Sequence, residues 1–248
     1  MLLKIISASF ITQPIQKVIC MFRLQTPYFF NLANYSHSAL FADSKYVWDA
    51  LTQILPYLNS LQLGIIKAEV CTGAFIVDPE NISIGKGSVV EPGAYIKGPC
   101  VIGVNCRVRH GAYIRGGLIT GDNCVIGHDT EVKNSIFLNH VHAAHFAYVG
   151  DTILGNDVNL GAGVKCANLK LDNNQIIIHF QNQRIQTGMR KFGSIIGDGC
   201  QIGCNTVLNP GTLLGKNVDC YPCINPGGFI EANHTVRNHV ELHIIPKK

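Results

Sequence analysis

Apolar side chains recur every six residues through most of this chain. Ile84, Val90, Ile96, Ile102, Val108, Ile114, Ile126, Val132 and Leu138 lie on one six-residue grid, with Thr120 the single misfit. Glycine follows the aliphatic at Gly85, Gly103 and Gly127. The grid resumes in a new phase at Leu154 and Leu160, and in a third at Ile196, Ile202, Leu208, Leu214 and Cys220. A fixed short period of this kind predicts a solenoid whose rungs stack the grid residues along one axis. Between Asp172 and Arg190 the grid vanishes, and Ile176–Phe180, Gln181–Gln183 and Arg184–Thr187 read as a hairpin extruded from the coils. Excursions of this type carry function or meet a neighbouring subunit more often than regular rungs do.

Before the repeats the pattern is different. Residues 22 to 42 mix aromatics with Asn, Ser and His without a period, which predicts irregular structure packed onto something larger. From Asp43 to Leu61 the spacing of Val47, Leu51, Ile54, Leu55 and Leu58 predicts one amphipathic helix, capped by Asp43 or Ser44 and interrupted near Pro56. The opening Met1–Ile11 faintly resembles a signal peptide, but its apolar core is short and no clean cleavage site precedes Gln13-Pro14. We expect Met21 to be a possible true start and the protein to be cytoplasmic. No run reaches the ~18 apolar residues that a membrane helix needs.

Composition narrows the class. Of the 248 residues 47% are hydrophobic and 15% charged, which describes a globular chain; 25 glycines and one Trp suit tight turns around small core side chains. The net charge of +4 comes without basic runs or interleaved aromatics, so nucleic acid is not an expected partner, whereas small anions are. Cys100, Cys106, Cys124 and Cys200 each precede a grid aliphatic by two residues, as do Ala94, Ala112 and Thr130. That position is a slot for a small buried side chain, which free cysteine fills well. Cys200, Cys204, Cys220 and Cys223 also admit a zinc reading, which the repeat roles of two of them weaken.

The grid, together with Val125-Ile-Gly-His-Asp-Thr130 and Ile202-Gly-Cys-Asn-Thr-Val207, resembles the hexapeptide-repeat family. The resemblance implies a mainly β fold: a left-handed parallel β-helix, three six-residue faces per coil, with a small helical N-terminal region. It divides the chain into an N-terminal region 1–73 with a helix at about 43–61, a β-helix domain 74–229 with a hairpin at about 172–190, and a cap or tail 230–248. Acyltransferases, a carbonic anhydrase class and scaffolding subunits share the repeat, so function must come from the site.

With three faces per coil, residues eighteen apart stack about 4.8 Å from one another. Lys97, Arg115 and Lys133 have that spacing, each directly after a grid aliphatic. Such a ladder of like charges repels itself, and a bound phosphate would relieve it; a solvated basic stripe is the competing reading. Next, Asn139-His-Val-His-Ala-Ala-His145 falls where the grid slips, since Leu138 to Leu154 is two residues short of a full coil. An imidazole at neutral pH suits proton abstraction from an amine or hydroxyl. We take His140 and His142 as structural. Reading all three histidines as metal ligands needs a gathering of side chains that so local a cluster does not give.

From Arg115 to Gly163 the chain is similar to the acetyltransferase domain of bifunctional N-acetylglucosamine-1-phosphate uridyltransferase/glucosamine-1-phosphate acetyltransferases. The resemblance implies that Arg115 and Lys133 bind a sugar phosphate and that His145, oriented by Glu131, is the catalytic base. It further implies that Tyr148, Asn159, Asn168 and, across the insertion, Lys191 surround the sugar. The main chain at Ala162 would face the thioester, with Cys204 and Pro222 at the acetyl-CoA end. Leu169 departs from the family's Tyr, and the donor end matches less well. No glycine-rich nucleotidyltransferase motif precedes the repeats, so uridyl transfer is not expected. The function implied is acetyl-CoA-dependent N-acetylation of a glucosamine-1-phosphate-like acceptor, by a homotrimer with sites between subunits and without a metal. Acylation of another sugar nucleotide or lipid precursor, or a non-catalytic β-helix subunit, are the rivals.

Overall fold

The computed structural model describes residues 22–239 and 243–247; the signal-like opening and Met21 lie outside them. The chain is a mainly parallel β-solenoid of about nine turns. Among the described residues its strands form three parallel sheets of nine, eight and seven strands, one for each face of the coil. Pairing runs from the Ile66–Ile84 bridge to Thr235–Val236.

The grid residues make the interior. On the eight-stranded face Ile84 pairs with Ile102, Thr120 with Phe137, Phe137 with Leu154, Leu154 with Ile196 and Ile196 with Leu214. Thr120, the misfit, is fully buried in this stack. Its hydroxyl accepts the Gly103 N–H at 3.0 Å and donates to the Gly121 carbonyl at 3.0 Å, so the polar atom is satisfied. The cysteine slots are buried too, and burial pushes the Cys100 and Cys200 thiols up to about 12. Cys204 and Cys223 instead face solvent.

The structure corrects two expectations. Leu138 does not enter the axial stack; Phe137 does, and Leu138 points outward into a second hydrophobic cluster. The two missing residues are therefore shared by two successive seventeen-residue coils, Thr120 to Phe137 and Phe137 to Leu154. Each is lost at the corner that enters the eight-stranded face, where Asn134 (φ 44°) and Asp151 (φ 50°) take left-handed backbone. Short polar side chains tolerate that conformation and can satisfy the exposed main chain of a tight corner.

The second correction concerns the helix. It spans Ala50–Ser60 after a 3₁₀ turn at Val47–Asp49, and it runs through Pro56 rather than breaking there. Pro56 lies on the solvent side, where a missing helical hydrogen bond costs least. Asp43 and Ser44 cap nothing; the Tyr46 N–H donates to the Asp49 carboxylate at 2.8 Å. Val47, Leu51, Ile54 and Leu58 are buried as their spacing predicts, whereas Leu55 remains 49% exposed.

Residues 22–61 pack on the outside of the eight-stranded face. Trp48, Phe29, Phe30, Tyr35 and Phe41 bury against Ile119, Ile136, Ile153, Ile195 and Leu213, so this sheet is apolar on both sides. Asparagines in the coil turns fasten the layer: Asn139 Nδ2 donates to the Asn34 carbonyl at 2.9 Å, and Asn156 Nδ2 to the Asn31 carbonyl at 2.9 Å. The antiparallel hairpin Ile177–Phe180/Gln183–Gln186 folds onto the same cluster through Ile178, Phe180 and Ile185. One of the three faces is thereby covered within the chain. The polar chemistry gathers on the other two.

Candidate active site

The nine- and seven-stranded faces meet at a corner column. His128 pairs with His145 across adjacent coils. By the same register Ala162, Cys204 and Pro222, each two residues past an axial side chain (Leu160, Ile202 and Cys220), continue that column. Four candidates scattered over seventy-eight residues of sequence, His145 to Pro222, thus stand on successive coils. The His110 and His128 rings stack 6.0 Å apart just below His145. His145 ends the strand His142–His145 and is exposed; its carbonyl accepts the Gly163 N–H at 3.1 Å, and its imidazole has no hydrogen bond among the described residues. The turn that follows, with Phe146 at φ 35°, delivers the chain to Tyr148 on the seven-stranded face.

On that face a polar network surrounds Asp151, which is 5% exposed. Its carboxylate accepts Lys133 Nζ at 2.6 Å, Asn134 Nδ2 at 2.9 Å and Asn168 Nδ2 at 2.5 Å. Asn168 also donates to the Tyr148 hydroxyl at 3.3 Å. Burial, with smaller contributions from the Asp151 and Glu131 charges, pushes the Tyr148 phenol above its ordinary value of 10.0, so it stays protonated and able to donate. Gly150 makes room for this contact: a Cβ there would stand 2.7 Å from the Tyr148 hydroxyl and 2.8 Å from Asn168 Nδ2.

The cation ladder exists in register, but carboxylates of the chain already interleave with it. Arg115 Nη1 donates to Glu131 Oε1 at 2.7 Å, and Lys133 is held by Asp151. Glu131 thus engages Arg115 and makes no bond to His145. Lys191 is placed well despite the insertion: Leu169 and Lys191 form an antiparallel bridge, and the Phe192 N–H donates to the Asn168 carbonyl at 2.9 Å. The hairpin leaves and returns at one point, so its closure costs the site no geometry. Arg115, Lys133, Tyr148, Asn168 and Lys191 therefore share one region.

Asn159 lies on the other side, in the nine-stranded face opposite His142 and Gln201. With Gly161, Cys204, Tyr221 and Pro222 it lines an open, mostly apolar groove of about 530 Å³. The Ala162 carbonyl accepts the Asn205 N–H at 2.8 Å. His145 stands between this groove and the cationic network. Sequence reasoning missed Asp151 and Asn134. The available signal was the position of Asp151 one ordinary coil length after Lys133, at the slip in the grid.

The chain, a continuous solenoid with a histidine corner, a cationic wall and an apolar groove, is similar to acyltransferases of the hexapeptide-repeat type. The GMPPB C-terminal domain family matches residues 96–179. A bifunctional sugar-1-phosphate nucleotidylyltransferase/acetyltransferase of Sulfurisphaera tokodaii is 37% identical over 92 residues, 37% of this chain and 23% of the relative. The bifunctional protein GlmU of Methanococcus maripaludis is 30% identical over 175 residues, 71% of this chain and 42% of the relative. The chain thus spans less than half the length of these curated relatives. A solved UDP-N-acetylglucosamine acyltransferase of Francisella novicida covers 65% of this chain and 62% of its own, at 17% identity and a TM-score of 0.46. Among the described residues no helix is long and apolar enough to cross a membrane.

Proposed function

We propose that the chain transfers an acetyl group from acetyl-CoA to the amine of an amino-sugar 1-phosphate. The observation that carries this reading is the position of His145, exposed at a corner with the cationic network on one side and the apolar groove on the other. The acceptor's phosphate meets Lys133, Arg115 and Lys191, while the Tyr148 hydroxyl and the Asn168 amide orient the sugar. Lys133 can serve phosphate without leaving Asp151, because an ammonium has three protons to donate. The groove past Ala162, Cys204 and Pro222 suits the thin, largely apolar arm of the donor, and Asn159 stands at its acceptor end.

His145 Nε2 or Nδ1 takes a proton from the amine as its nitrogen attacks the thioester carbonyl. The tetrahedral adduct collapses, the carbon–sulfur bond breaks, and the imidazolium returns the proton to the departing thiolate. An amide and free CoA result. Proximity and general-base transfer supply the acceleration. The Arg115–Glu131 pair sets the charge at the sugar end instead of orienting His145. A single protomer offers only one wall of this corner, so the reading includes a homotrimer in which a neighbouring copy closes it, in a cytoplasmic setting where acetyl-CoA is available.

Steady-state kinetics with acetyl-CoA and glucosamine 1-phosphate test the assignment. His145→Ala should lower kcat by ~10² to 10⁴ with the sugar KM nearly unchanged. Lys133→Ala should mainly raise that KM, because a phosphate contact remote from the amine acts on ground and transition states alike. Parental kcat in His145→Ala at saturating substrate would refute the base assignment, and no turnover in the parent would refute the reaction.

A further inference from the structure

Two sulfurs stand where the coils have no use for one. Cys200 and Cys220 are buried in the axial cluster, whereas Cys204 and Cys223 face solvent. The four cysteines that admitted a zinc reading are thereby split between interior and surface, and what remains outside is a pair. The Cys223 N–H donates to the Cys204 carbonyl at 2.9 Å, so the two residues are hydrogen-bonded neighbours on successive coils.

Backbone geometry aims the second sulfur toward the first. Both turns lie at the corner between the nine- and seven-stranded faces. There the third residue after each axial side chain takes left-handed backbone: Gly111, Asp129, Phe146, Gly163, Asn205 and Cys223. Side chains in that conformation reach back over the preceding coil, since a Cβ on Gly111 would meet Asp129 Oδ1 and one on Gly163 would meet Asn205 Oδ1. Cys223, at φ 59°, therefore reaches back over the turn that carries Cys204 and Asn205. One coil rise of about 4.8 Å combined with one residue step of about 3.8 Å puts the two Cα atoms about 6 Å apart, inside the roughly 4.4–6.8 Å that a disulfide spans. Nothing in the fold calls for a thiol at this corner, since Gly or Asn holds left-handed backbone with less strain.

The pair borders the apolar groove: Cys204, Tyr221 and Pro222 line it, and Cys223 directly follows Pro222. We propose that Cys204 and Cys223 are a reactive dithiol, a modification site that exchanges with a low-molecular-weight disulfide and closes into an intrachain cystine at the rim of the groove. The Cys204 thiolate attacks one sulfur of the small disulfide and expels one small thiol; the Cys223 thiolate then attacks the Cys204 sulfur and expels the second. The two thiol protons leave with the two small thiols, and the small disulfide is reduced as the pair is oxidised. Both sulfurs are open to such attack, unlike the buried thiols of the axis. Closure draws the Cys204 sulfur and the Pro222-Cys223 turn together over the groove and excludes a ligand there. That consequence rests on the acetyl-transfer reading, which seats the donor in the groove.

Exchange of the full-length protein with glutathione disulfide, followed by alkylation and peptide mass mapping, tests the pair. The Cys204–Cys223 cross-linked peptide should exceed the singly glutathionylated forms at least about tenfold, because the second thiol acts as a tethered group. Cys204→Ser and Cys223→Ser should each abolish the cross-link and leave one glutathione on the remaining cysteine of the pair. Titration with acetyl-CoA, a thioester that carries no free thiol to reduce the bridge, should show at least about tenfold weaker binding to the bridged form, restored by dithiothreitol. Independent glutathionylation of both cysteines without a bridge would overturn the proposal. So would sulfurs that alkylate only after unfolding, the mark of a corner covered by a neighbouring copy, or a bridge that joins two chains. Equal acetyl-CoA affinity of the bridged and reduced forms refutes closure of the groove. A bridge that forms in a protein binding no acetyl-CoA in either state supports the dithiol and sinks the acetyl-transfer reading.

Discussion

Asp151→Asn removes one charge from the network and almost no volume, so it isolates what the carboxylate does. In the native chain three donors converge on Asp151, and the side chains of the Lys133–Asp151 pair are 16% and 7% exposed. With an amide in place, Lys133 faces a weaker acceptor, and one amide nitrogen points at a donor. Removing one partner of a buried ion pair costs about 3–5 kcal/mol because the other charge is stranded. Lys133 keeps some access to water, which favours the lower end, about 3 kcal/mol. For a chain of this size each kcal/mol moves Tm by about 2–4 °C, so the variant should melt roughly 10 °C lower by calorimetry. Glu131→Gln is the internal control. Its pair with Arg115 is equally short but 35% and 44% exposed, and surface pairs are worth about 0–1 kcal/mol. Lys133→Met in the Asp151→Asn background should recover much of the loss, a coupling of about 2 kcal/mol. If Asp151→Asn cost no more than Glu131→Gln, the account of the shortened corner as a buried polar centre would be wrong.

Three other outcomes are expected. Burial holds the His37 imidazole below its ordinary 6.5, against a smaller opposing pull from Asp122, with Tyr57 Oη 3.0 Å from its Nδ1. The unfolded chain then binds more protons than the folded one, so stability is fully present above pH 6.5 and falls as pH drops through the lower folded value; the urea midpoint should show this, and His37→Gln should flatten it. Cys204 lines the apolar groove proposed for the donor and is exposed, so in a Cys223→Ser background saturating CoA should slow its alkylation by N-ethylmaleimide more than tenfold by mass spectrometry; an unchanged rate would place the donor elsewhere. Trp48 is 1% exposed, stacked 4.7 Å from Tyr46 and 6.1 Å from Phe192, so Trp48→Ala should cost about 3–5 kcal/mol in thermal denaturation, and a loss under 1 kcal/mol would mean the N-terminal layer contributes little.

The solenoid was legible because its period is set by one repeated physical demand. Every sixth side chain must fill the axis, and only the strand register enforces which. The same demand hid the slip: Phe137 and Leu138 are both apolar and both buried, so a grid read by hydrophobicity alone cannot say which of them points inward. Only after Phe137 is placed against Thr120 does the shortened corner appear, and with it Asp151. The helix erred for a similar reason. Pro56 breaks helices where its neighbours need the lost hydrogen bond, and the sequence does not show that this turn faces water. At the site, spacing located the Lys133–Arg115 ladder and resemblance located His145. Neither could show that Glu131 and Asp151 reach back to neutralise the ladder, because i to i+16 and i to i+18 contacts depend on corner geometry. The site therefore offers a phosphate less unpaired charge than the ladder promised. That leaves Lys97 and Lys191 as exposed cations without an ion pair among the described residues.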